Sequence, residues 1–242
     1  MQNVIIHNFD QINSTNIWAK ENIKNFDKSK YHIIFANQQS NGQGSNNRTW
    51  LSPIGGIYCT ICFHHINHNS NPNMITLVSA IAICNIFQKY NIKLDIKWPN
   101  DIICNQKKIG GILSELHTDW YIIGFGLNIN LEINEINKIS RPIFPASSLK
   151  IEGYNNLNCE HIKQDIITNF PEYINNWFTQ GWDFFENKFK YHNLLLDKTI
   201  VISSLGNTYK GTFSGIGQDG QLEISTISNL ESFYSGDILQ LE

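Results

Sequence analysis

Four strand-like segments in the middle of the chain are joined by turns that are too short to hold a helix. The segments are LDIKW, DIIC, IGGILSEL and WYIIGFGLNI, within residues 94–129. Parallel neighbours in a sheet need a crossover connection of about a dozen residues or more, whereas antiparallel neighbours need only a tight turn. These segments therefore predict a sheet that is mixed or antiparallel.

Helical patterns flank these strands, and the apolar runs YHIIFANQQ and IYCTICF predict further strands. A helix is predicted from Ser14 to about Phe26, with Ser14 or Thr15 as its N-cap. Another begins at Asn71-Pro72. Its expected core positions are Met74, Leu77, Val78, Ile81 and residues 83–87. Two later helices are predicted over residues 161–178, interrupted at Pro171, and over 181–192. The fold class is therefore α+β, a mixed or antiparallel sheet with flanking helices.

The pattern changes from about Asp197 onward. Short strands with glycine-rich turns follow, in the runs KTIVISS, YKGTFSGIG, GQLEIST and GDILQLE. Closely spaced short strands of this kind predict a small β-barrel-like module. We therefore expect two domains, over residues 1–193 and 194–242.

The composition narrows the classes of partner and compartment. The 242 residues carry a formal net charge of −3 and show no basic stripe, which argues against nucleic acid as a partner. The amino terminus is too polar for a signal peptide, and no run approaches the roughly 18–20 apolar residues of a membrane helix. The five cysteines are an odd number without a disulfide framework. We therefore expect a cytoplasmic protein that does not bind a membrane.

The run CTICFHHINH has the residue types of a metal site but not the arrangement. Side chains alternate between the two faces of a strand, so Cys59 and Cys62 are expected on opposite faces. No second cysteine pair or spaced histidine pair completes a tetrahedral set. We expect no metal here and predict that His64, His65 and His68 lie on a solvated loop.

The stretch KWPNDIICNQKKIGGILSE places Lys97, Lys107 and Lys108 around a hairpin that also holds Asp101. Glycines inside a strand often mark a close approach by a ligand or another backbone, and a Gly-Gly pair follows these lysines. Ammonium groups beside a glycine-lined slot suit a phosphate or a carboxylate. A set of solvated hairpin charges is the alternative, and the residues alone leave both interpretations open.

Residues 40–56, SNGQGSNNRTWLSPIGG, are polar and rich in glycine, which predicts a loop. The loop lacks the following helix of a dinucleotide-binding fingerprint and the Gly-Lys-Ser/Thr ending of a P-loop. Long polar glycine loops commonly close over a ligand. A solvated connector is the alternative.

In order along nearly the whole chain lie STN at residues 14–16, QQSNGQGSNNRTW, KWPNDI followed by KIGGILSE, and GFGLNIN. Together they resemble the signature segments of the biotin protein ligases. The terminal β-module resembles the SH3-like domain that follows the catalytic domain in that family. The resemblance implies the class II synthetase-like biotin/lipoate ligase fold for residues 1–193 and an SH3-like β-barrel for residues 194–242.

The resemblance also implies a reaction in two steps. Biotin's carboxylate attacks the α-phosphate of ATP, accompanied by Mg²⁺, to give biotinyl-AMP and pyrophosphate. A lysine of a biotin carboxyl carrier protein, from acetyl-CoA carboxylase or a similar enzyme, then displaces AMP and forms an amide. Two anions meet in the first step, so positive charge in a water-poor pocket must neutralise them. Family members occur as monomers and as dimers that pair sheet edges, so a homodimer is left open.

Roles carry over from the family to matching residues here. The implied catalytic residues are Lys108, Asp101 and Arg48. The implied biotin contacts are Ser14, Thr15, Asn16, Gln39, Gly42, Lys108 and Gly111. The implied nucleotide contacts are Gln43, Gly44, Ser45, Arg48, Trp50, Lys97, Asn100 and Asn128. Asp101 is expected either to hold Mg²⁺ or to orient a lysine.

The chain departs from the family pattern in its glycine loop, where Gln43 and Ser45 stand in place of arginines and Arg48 remains. We hypothesise a weaker grip on the adenylate and its leakage to bystander lysines. Too few residues precede Ser14 for a helix-turn-helix, so a repressor role is not expected.

Three alternatives to the ligase remain. The first is a non-catalytic biotin-binding sensor whose phosphate loop has degenerated. The second is a lipoate or octanoate attachment enzyme of the same fold, although its arginine- and glycine-rich run ending in His-Asp is missing here. The third is a plain interaction module that uses its SH3-like end.

Overall fold

The central element is a seven-stranded sheet, seen in a computed structural model that describes residues 4–64, 72–139 and 144–242. Its strands are β1 (Val4–Ile12), β2 (Tyr31–Gln39), β3 (Gly56–His64), β4 (Asp95–Lys97), β5 (Asp101–Cys104), β6 (Lys107–His117) and β7 (Trp120–Asn128). They lie in the order β1-β2-β3-β7-β6-β5-β4. The pair β1–β2 is parallel and the remaining pairs are antiparallel. The prediction of a mixed or antiparallel sheet is therefore confirmed, and the sheet is mixed.

Helices cover both faces of this sheet. They are α1 (Thr15–Asn22), α2 (Pro72–Gln88), α3 (Ile133–Ile136), α4 (Cys159–Gln180) and α5 (Asp183–His192). α2 and α4 pack together over one face, where all the predicted core positions of α2 except the half-buried Asn85 are buried. α1 packs on the other face through Ala19, which contacts a smaller core around Cys62 and Trp120. In the described part of the chain, no helix combines the length and the apolar character needed to cross a membrane.

α4 runs without a break through Pro171, so the predicted interruption is wrong. Proline removes one helical hydrogen bond and crowds the preceding turn. Here the apolar stripe of Ile166, Phe170, Ile174 and Trp177 is buried on both sides of Pro171. Burial of several large side chains offsets the cost of one proline, because each fully buried one contributes about 1.5–3 kcal/mol.

The carboxyl-terminal part forms a separate five-stranded antiparallel sheet. Its strands are β8 (Thr199–Ser204), β9 (Asn207–Ile216), β10 (Leu222–Ser225), β11 (Leu230–Phe233) and β12 (Asp237–Leu241). Sequence reasoning missed β11, a short polar edge strand whose Leu230 is exposed. The turn between β9 and β10 contacts the turn after β4, where the Trp98 indole donates to the Gly220 carbonyl oxygen at 3.0 Å. The division into domains at residues 193 and 194 stays a prediction.

Strand β3 separates the two cysteines of the suspected metal motif, as predicted. Cys59 packs in the core on the α2 side, whereas Cys62 packs in the smaller core beside α1. The prediction for His64 is wrong, because β3 extends to His64, which pairs with Trp120 of β7 and is partly buried against its ring. His65 and His68 lie outside the described residues. Within the described ranges, no three His, Cys, Asp or Glu side chains converge as metal ligands.

Acidification is expected to destabilise this fold through its buried histidines. His32 and His192 are both buried, and burial is the main cause that lowers the pKa of each. The unfolded chain takes up these protons near its ordinary pKa of about 6.5, before the folded state does. The histidine contribution to stability is therefore complete above about pH 6.5 and is lost as the pH falls below it. Urea denaturation at pH 7.5, 6.5 and 5.5 should give a decreasing free energy of unfolding.

A matched pair of variants tests this assignment. His192→Gln should flatten the pH dependence of the free energy of unfolding, whereas His117→Gln, at an exposed position, should leave it as in the wild type. Equal pH dependence in the wild type and in His192→Gln would show that the buried imidazole is not responsible.

Candidate active site

A cavity lies on the face of the seven-stranded sheet that also carries α1. It is lined by residues of the start of α1, the end of β2, the glycine loop, β6 and β7. The predicted site residues that line it are Ser14, Thr15, Asn16, Gln39, Gln43, Gly44, Ser45, Arg48, Trp50, Asn100, Lys108 and Gly111. The cavity volume is about 40 Å³, whereas sites for small ligands enclose about 300–1,000 Å³. A ligand of that size therefore enters only if lining side chains move.

One end of the cavity is built from neutral hydrogen-bonding groups. Ser14 is the N-cap of α1, and its side chain accepts from the Ile17 amide. The Gln39 side-chain oxygen accepts from the Thr15 amide at 2.8 Å and from the Thr15 hydroxyl at 3.2 Å. The Gln39 amide nitrogen donates to the Ser52 hydroxyl at 2.8 Å. Because both ends of its amide are engaged, Gln39 is held in one orientation.

Asn16 adds a free donor to this end of the cavity. Its Oδ1 accepts from the Thr60 hydroxyl, which lies 2.8 Å from the Thr15 hydroxyl. The Asn16 Nδ2 is buried and has no acceptor within the described chain. Gly124 makes room for this side chain, since a Cβ there would lie 2.1 Å from Asn16 Oδ1. A buried donor without a partner is costly, so Nδ2 is well suited to an acceptor on a ligand.

The other end of the cavity carries charge. Lys108 Nζ bonds Asp101 Oδ1, and Lys97 Nζ lies 3.2 Å from Asp101 Oδ2. The strand register creates this cluster, because Asp101 of β5 pairs with Lys97 on one side and with Gly111 on the other. The side chains of Lys97, Asp101 and Lys108 are 10%, 8% and 7% exposed. Among the described residues, the cluster has two ammonium groups and one carboxylate, which gives these three side chains a net positive charge.

Trp50 lies across two paired glycines beside Lys108. Gly111 of β6 pairs with Gly126 of β7, and a Cβ on Gly126 would lie 2.2 Å from Trp50 Nε1. Lys108 Nζ lies 5.5 Å from the centre of the Trp50 ring, within range of a cation–π contact. Trp50 Nε1 is buried without an acceptor in the described chain. The indole therefore fills the slot between Lys108 and the two glycines.

The glycine loop folds back on itself and reaches the small sheet. The Gly44 amide donates to the Arg48 carbonyl oxygen at 2.7 Å, and Gln43 pairs with Thr49. Arg48 Nη2 lies 3.0 Å from Asp237 Oδ2 of β12, in an exposed ion pair. The family resemblance implied that the Arg48 guanidinium contacts the nucleotide. In this structure it is instead paired with Asp237 of the carboxyl-terminal sheet.

Four predicted residues lie behind the cavity wall rather than in it: Gly42, Lys97, Asp101 and Asn128. Gly42 packs under Gln39, where a Cβ would lie 2.4 Å from the Trp50 carbonyl oxygen. Asn128 Nδ2 donates to the Ser147 carbonyl oxygen at 2.9 Å, and its Oδ1 is buried without a donor in the described chain.

Sequence reasoning missed Ser52 and Thr60, which orient Gln39 and Asn16. The signal for Thr60 was a hydroxyl in the middle of the apolar run IYCTICF. The spacing of Gly124 and Gly126 on one face of β7 was visible in GFGLN, but their partners Asn16 and Trp50 were not.

Known proteins resemble this chain in sequence and in fold. The bifunctional ligase/repressor BirA of Bacillus subtilis is 28% identical, over 98% of this chain and 74% of that protein. The biotin–[acetyl-CoA-carboxylase] ligase of Paracoccus denitrificans is 22% identical, over 78% of this chain and 82% of that protein. A biotin protein ligase from Aquifex aeolicus, solved in complex with biotin and ATP, superposes with a TM-score of 0.83 at 23% identity. That match covers 100% of this chain and 99% of that one, so the likeness in fold includes the five-stranded sheet.

A family model provides the strongest comparison. The model described as the biotin/lipoate A/B protein ligase family matches residues 8–134. This range contains α1, the glycine loop, the lysine–aspartate cluster and the paired glycines of β6 and β7. It is more than half of the chain and carries most of the cavity lining. The chain therefore belongs to the biotin/lipoate A/B protein ligase family.

Proposed function

We propose that this protein is an ATP-dependent biotin protein ligase, which activates biotin as biotinyl-AMP and transfers it to a lysine of a carrier protein. The observation that carries the proposal is the polarity of the cavity. Neutral donors and acceptors at one end suit a ureido ring, and the buried Lys97–Asp101–Lys108 cluster at the other end suits a carboxylate and a phosphate.

Biotin binding is assigned to the neutral end and the strand beside it. The ureido carbonyl is an acceptor, for which Asn16 Nδ2 is the unpaired buried donor. Ser14, Thr15 and Gln39 provide hydroxyl and amide groups for the ureido nitrogens and oxygen. The aliphatic chain then runs past the bare backbone of Gly111 toward Lys108, with Trp50 displaced from the slot.

In the first step, a carboxylate oxygen of biotin forms a bond to the α-phosphorus of ATP, and the bond to the pyrophosphate oxygen breaks. Lys108 is the proposed group that neutralises the two anions as they approach, in a site where water is scarce. Asp101 is assigned the role of orienting Lys108 and Lys97, because each of its oxygens already faces an ammonium group.

Mg²⁺ fits this site as a companion of ATP. It typically binds through substrate phosphates and one or two carboxylates rather than a protein cage. The described residues hold no cluster of three potential ligand side chains. We therefore assign the metal to the phosphates, where it supplies further charge neutralisation.

The nucleotide is assigned to the glycine loop and to the side of the cavity near Asn100 and Asn128. Gln43, Gly44 and Ser45 would surround the phosphates together with Asn100. Arg48 would join them once its guanidinium leaves Asp237. Trp50 offers an aromatic face to the base, and the unpaired Asn128 Oδ1 is a buried acceptor suited to an exocyclic amine.

In the second step, the neutral amine of a carrier lysine attacks the acyl carbonyl of the adenylate. A carbon–nitrogen bond forms, the nitrogen releases a proton to solvent, the carbon–oxygen bond to the phosphate breaks, and AMP leaves. The proposed carrier is the biotin carboxyl carrier protein of acetyl-CoA carboxylase or a similar enzyme, supported by the name of the Paracoccus relative.

The free cysteines fit a reducing cytoplasm as the compartment. Sedimentation distinguishes a monomer from a dimer that pairs along β1, an edge strand.

The test is pyrophosphate release from ATP and Mg²⁺, measured with and without biotin. We expect release only with biotin, followed by labelling of a carrier domain when it is added. Tight biotin binding without release would establish the sensor, and release driven by lipoate or octanoate instead of biotin would establish the other enzyme. Labelling of serum albumin in the same reaction tests the leakage hypothesis for Gln43 and Ser45, and strict selectivity for the carrier would contradict that hypothesis.

A further inference from the structure

The main chain of Lys108 is held from outside the β5–β6 hairpin. The register of this hairpin shifts so that Lys108 pairs with Ile103 and Gly110 with Ile102. A shift of this kind marks a bulge, which locally disrupts the ladder. At this point the strap, residues 145–147, runs parallel to the strand. The Lys108 amide donates to the Pro145 carbonyl oxygen and the Ser147 amide to the Lys108 carbonyl oxygen, both at 2.9 Å.

The strap is itself anchored to β7. Asn128 Nδ2 donates to the Ser147 carbonyl oxygen at 2.9 Å, and the Leu149 amide donates to the Asn128 carbonyl oxygen at 3.0 Å. The same short segment therefore contacts Lys108, proposed to neutralise the reacting anions, and Asn128, proposed to read the base.

Glu152 ties the strap to the turn that precedes Lys108. Its Oε1 accepts from the Ser147 hydroxyl of the strap and from Lys107 Nζ at 2.9 Å. Its Oε2 accepts from Asn105 Nδ2 at 3.3 Å. The Glu152 side chain is 6% exposed and does not line the cavity.

The carboxylate of Glu152 is held in its charged form. Burial acts to raise its pKa, but hydrogen bonds from Ser147, Lys107 and Asn105 outweigh burial, so that the pKa lies below its usual range. Hydrogen bonds to a charged acceptor are roughly twice as strong as neutral ones. Removing the charge therefore weakens the connection on both sides of Lys108 at once.

We propose that Glu152 is a positioning residue for the ligation reaction, which fixes the backbone of Lys108 through Lys107 and through Ser147 of the strap. The proposal rests on the proposed function, since it concerns the first step of that reaction. Glu152 is not among the residues that line the cavity. It acts by holding Lys108 and Asn128 in one geometry.

The test compares Glu152→Gln with Glu132→Gln. Glu132 forms an exposed ion pair with Lys150, and Lys150 is close in sequence to the strap. Glu132 contacts neither Lys107 nor Lys108 among the described residues. In Glu152→Gln, kcat for biotin-dependent pyrophosphate release should fall about 10- to 100-fold, because small displacements of a catalytic group have effects of this size. The KM for ATP should rise, and the Kd for biotin should stay within about twofold, because Ser14, Thr15 and Gln39 lie on other elements. Glu132→Gln should match the wild type.

The conservative variant separates positioning from folding. Glu152→Asp keeps the charge on a shorter stem and should recover part of kcat. The proposal is overturned if Glu152→Gln keeps the wild-type kcat. It is also overturned if kcat falls only in proportion to the fraction of protein that still binds biotin. A loss of that size would reflect a loss of folded protein. Absence of biotin-dependent release in the wild type would instead contradict the proposed function.

Discussion

Lys108→Ala is expected to lower biotin-dependent pyrophosphate release by about 10³-fold, the scale at which single charge-stabilising donors affect kcat. The reason is the position of Lys108 rather than its charge alone. Its ammonium belongs to a residue that lines the cavity, is buried, and is aimed by Asp101. Lys97, its partner in the cluster, lies behind the wall and cannot replace it at the reacting atoms.

Lys108→Ala should affect biotin binding much less than it affects pyrophosphate release. In Lys108→Ala the neutral end of the cavity keeps Thr15, Asn16 and Gln39, so biotin should still bind, with affinity reduced only by the lost contact to its carboxylate. Lys138→Ala, which removes an exposed ammonium paired with Glu135, is the matched control and should behave as the wild type. Pyrophosphate release by Lys108→Ala at near the wild-type rate would show that another group neutralises the anions.

The sequence predicted most of the framework because its signals were local. The short turns indicated antiparallel neighbours from β4 to β7, and apolar spacing placed the buried face of α2. The failures have a common physical cause, which is that contacts distant in sequence override local preference. Pro171 stays helical because the stripe around it is buried, and His64 extends a strand because Trp120 lies opposite.

In the site, too, local signals were predicted and contacts between residues distant in sequence were not. Residues within the recognisable motifs were predicted, and twelve of them line one cavity. Ser52, Thr60 and Glu152 act on those residues across separations of 13, 44 and 45 positions, from Gln39, Asn16 and Lys107 respectively. No local pattern marks a residue whose role is to orient another one. The geometry of the fold is needed to find it.

The second large effect is expected at Asp101, on stability as well as on activity. Asp101→Asn leaves the buried ammonium groups of Lys97 and Lys108 without their carboxylate. Removing one partner of a buried ion pair costs about 3–5 kcal/mol of the free energy of unfolding. Lys108 also loses the group that aims it, so pyrophosphate release should fall with it. If Asp101 instead held Mg²⁺, raising the Mg²⁺ concentration would restore activity in Asp101→Asn, and we expect no such rescue.

The net charge of the cluster determines the expected order of stability among the variants. The three side chains of the described cluster have two positive charges and one negative, and Asp101→Asn leaves two positive charges. Lys97→Met in that background returns the net charge to that of the wild type. The double variant should therefore be more stable than Asp101→Asn, even though it carries one more substitution. Urea denaturation of the wild type, both single variants and the double variant measures this coupling. Additivity within about 0.5 kcal/mol would show that Lys97 and Asp101 do not interact. A clear departure from additivity would show that the Asp101 carboxylate stabilises the buried ammonium group of Lys97.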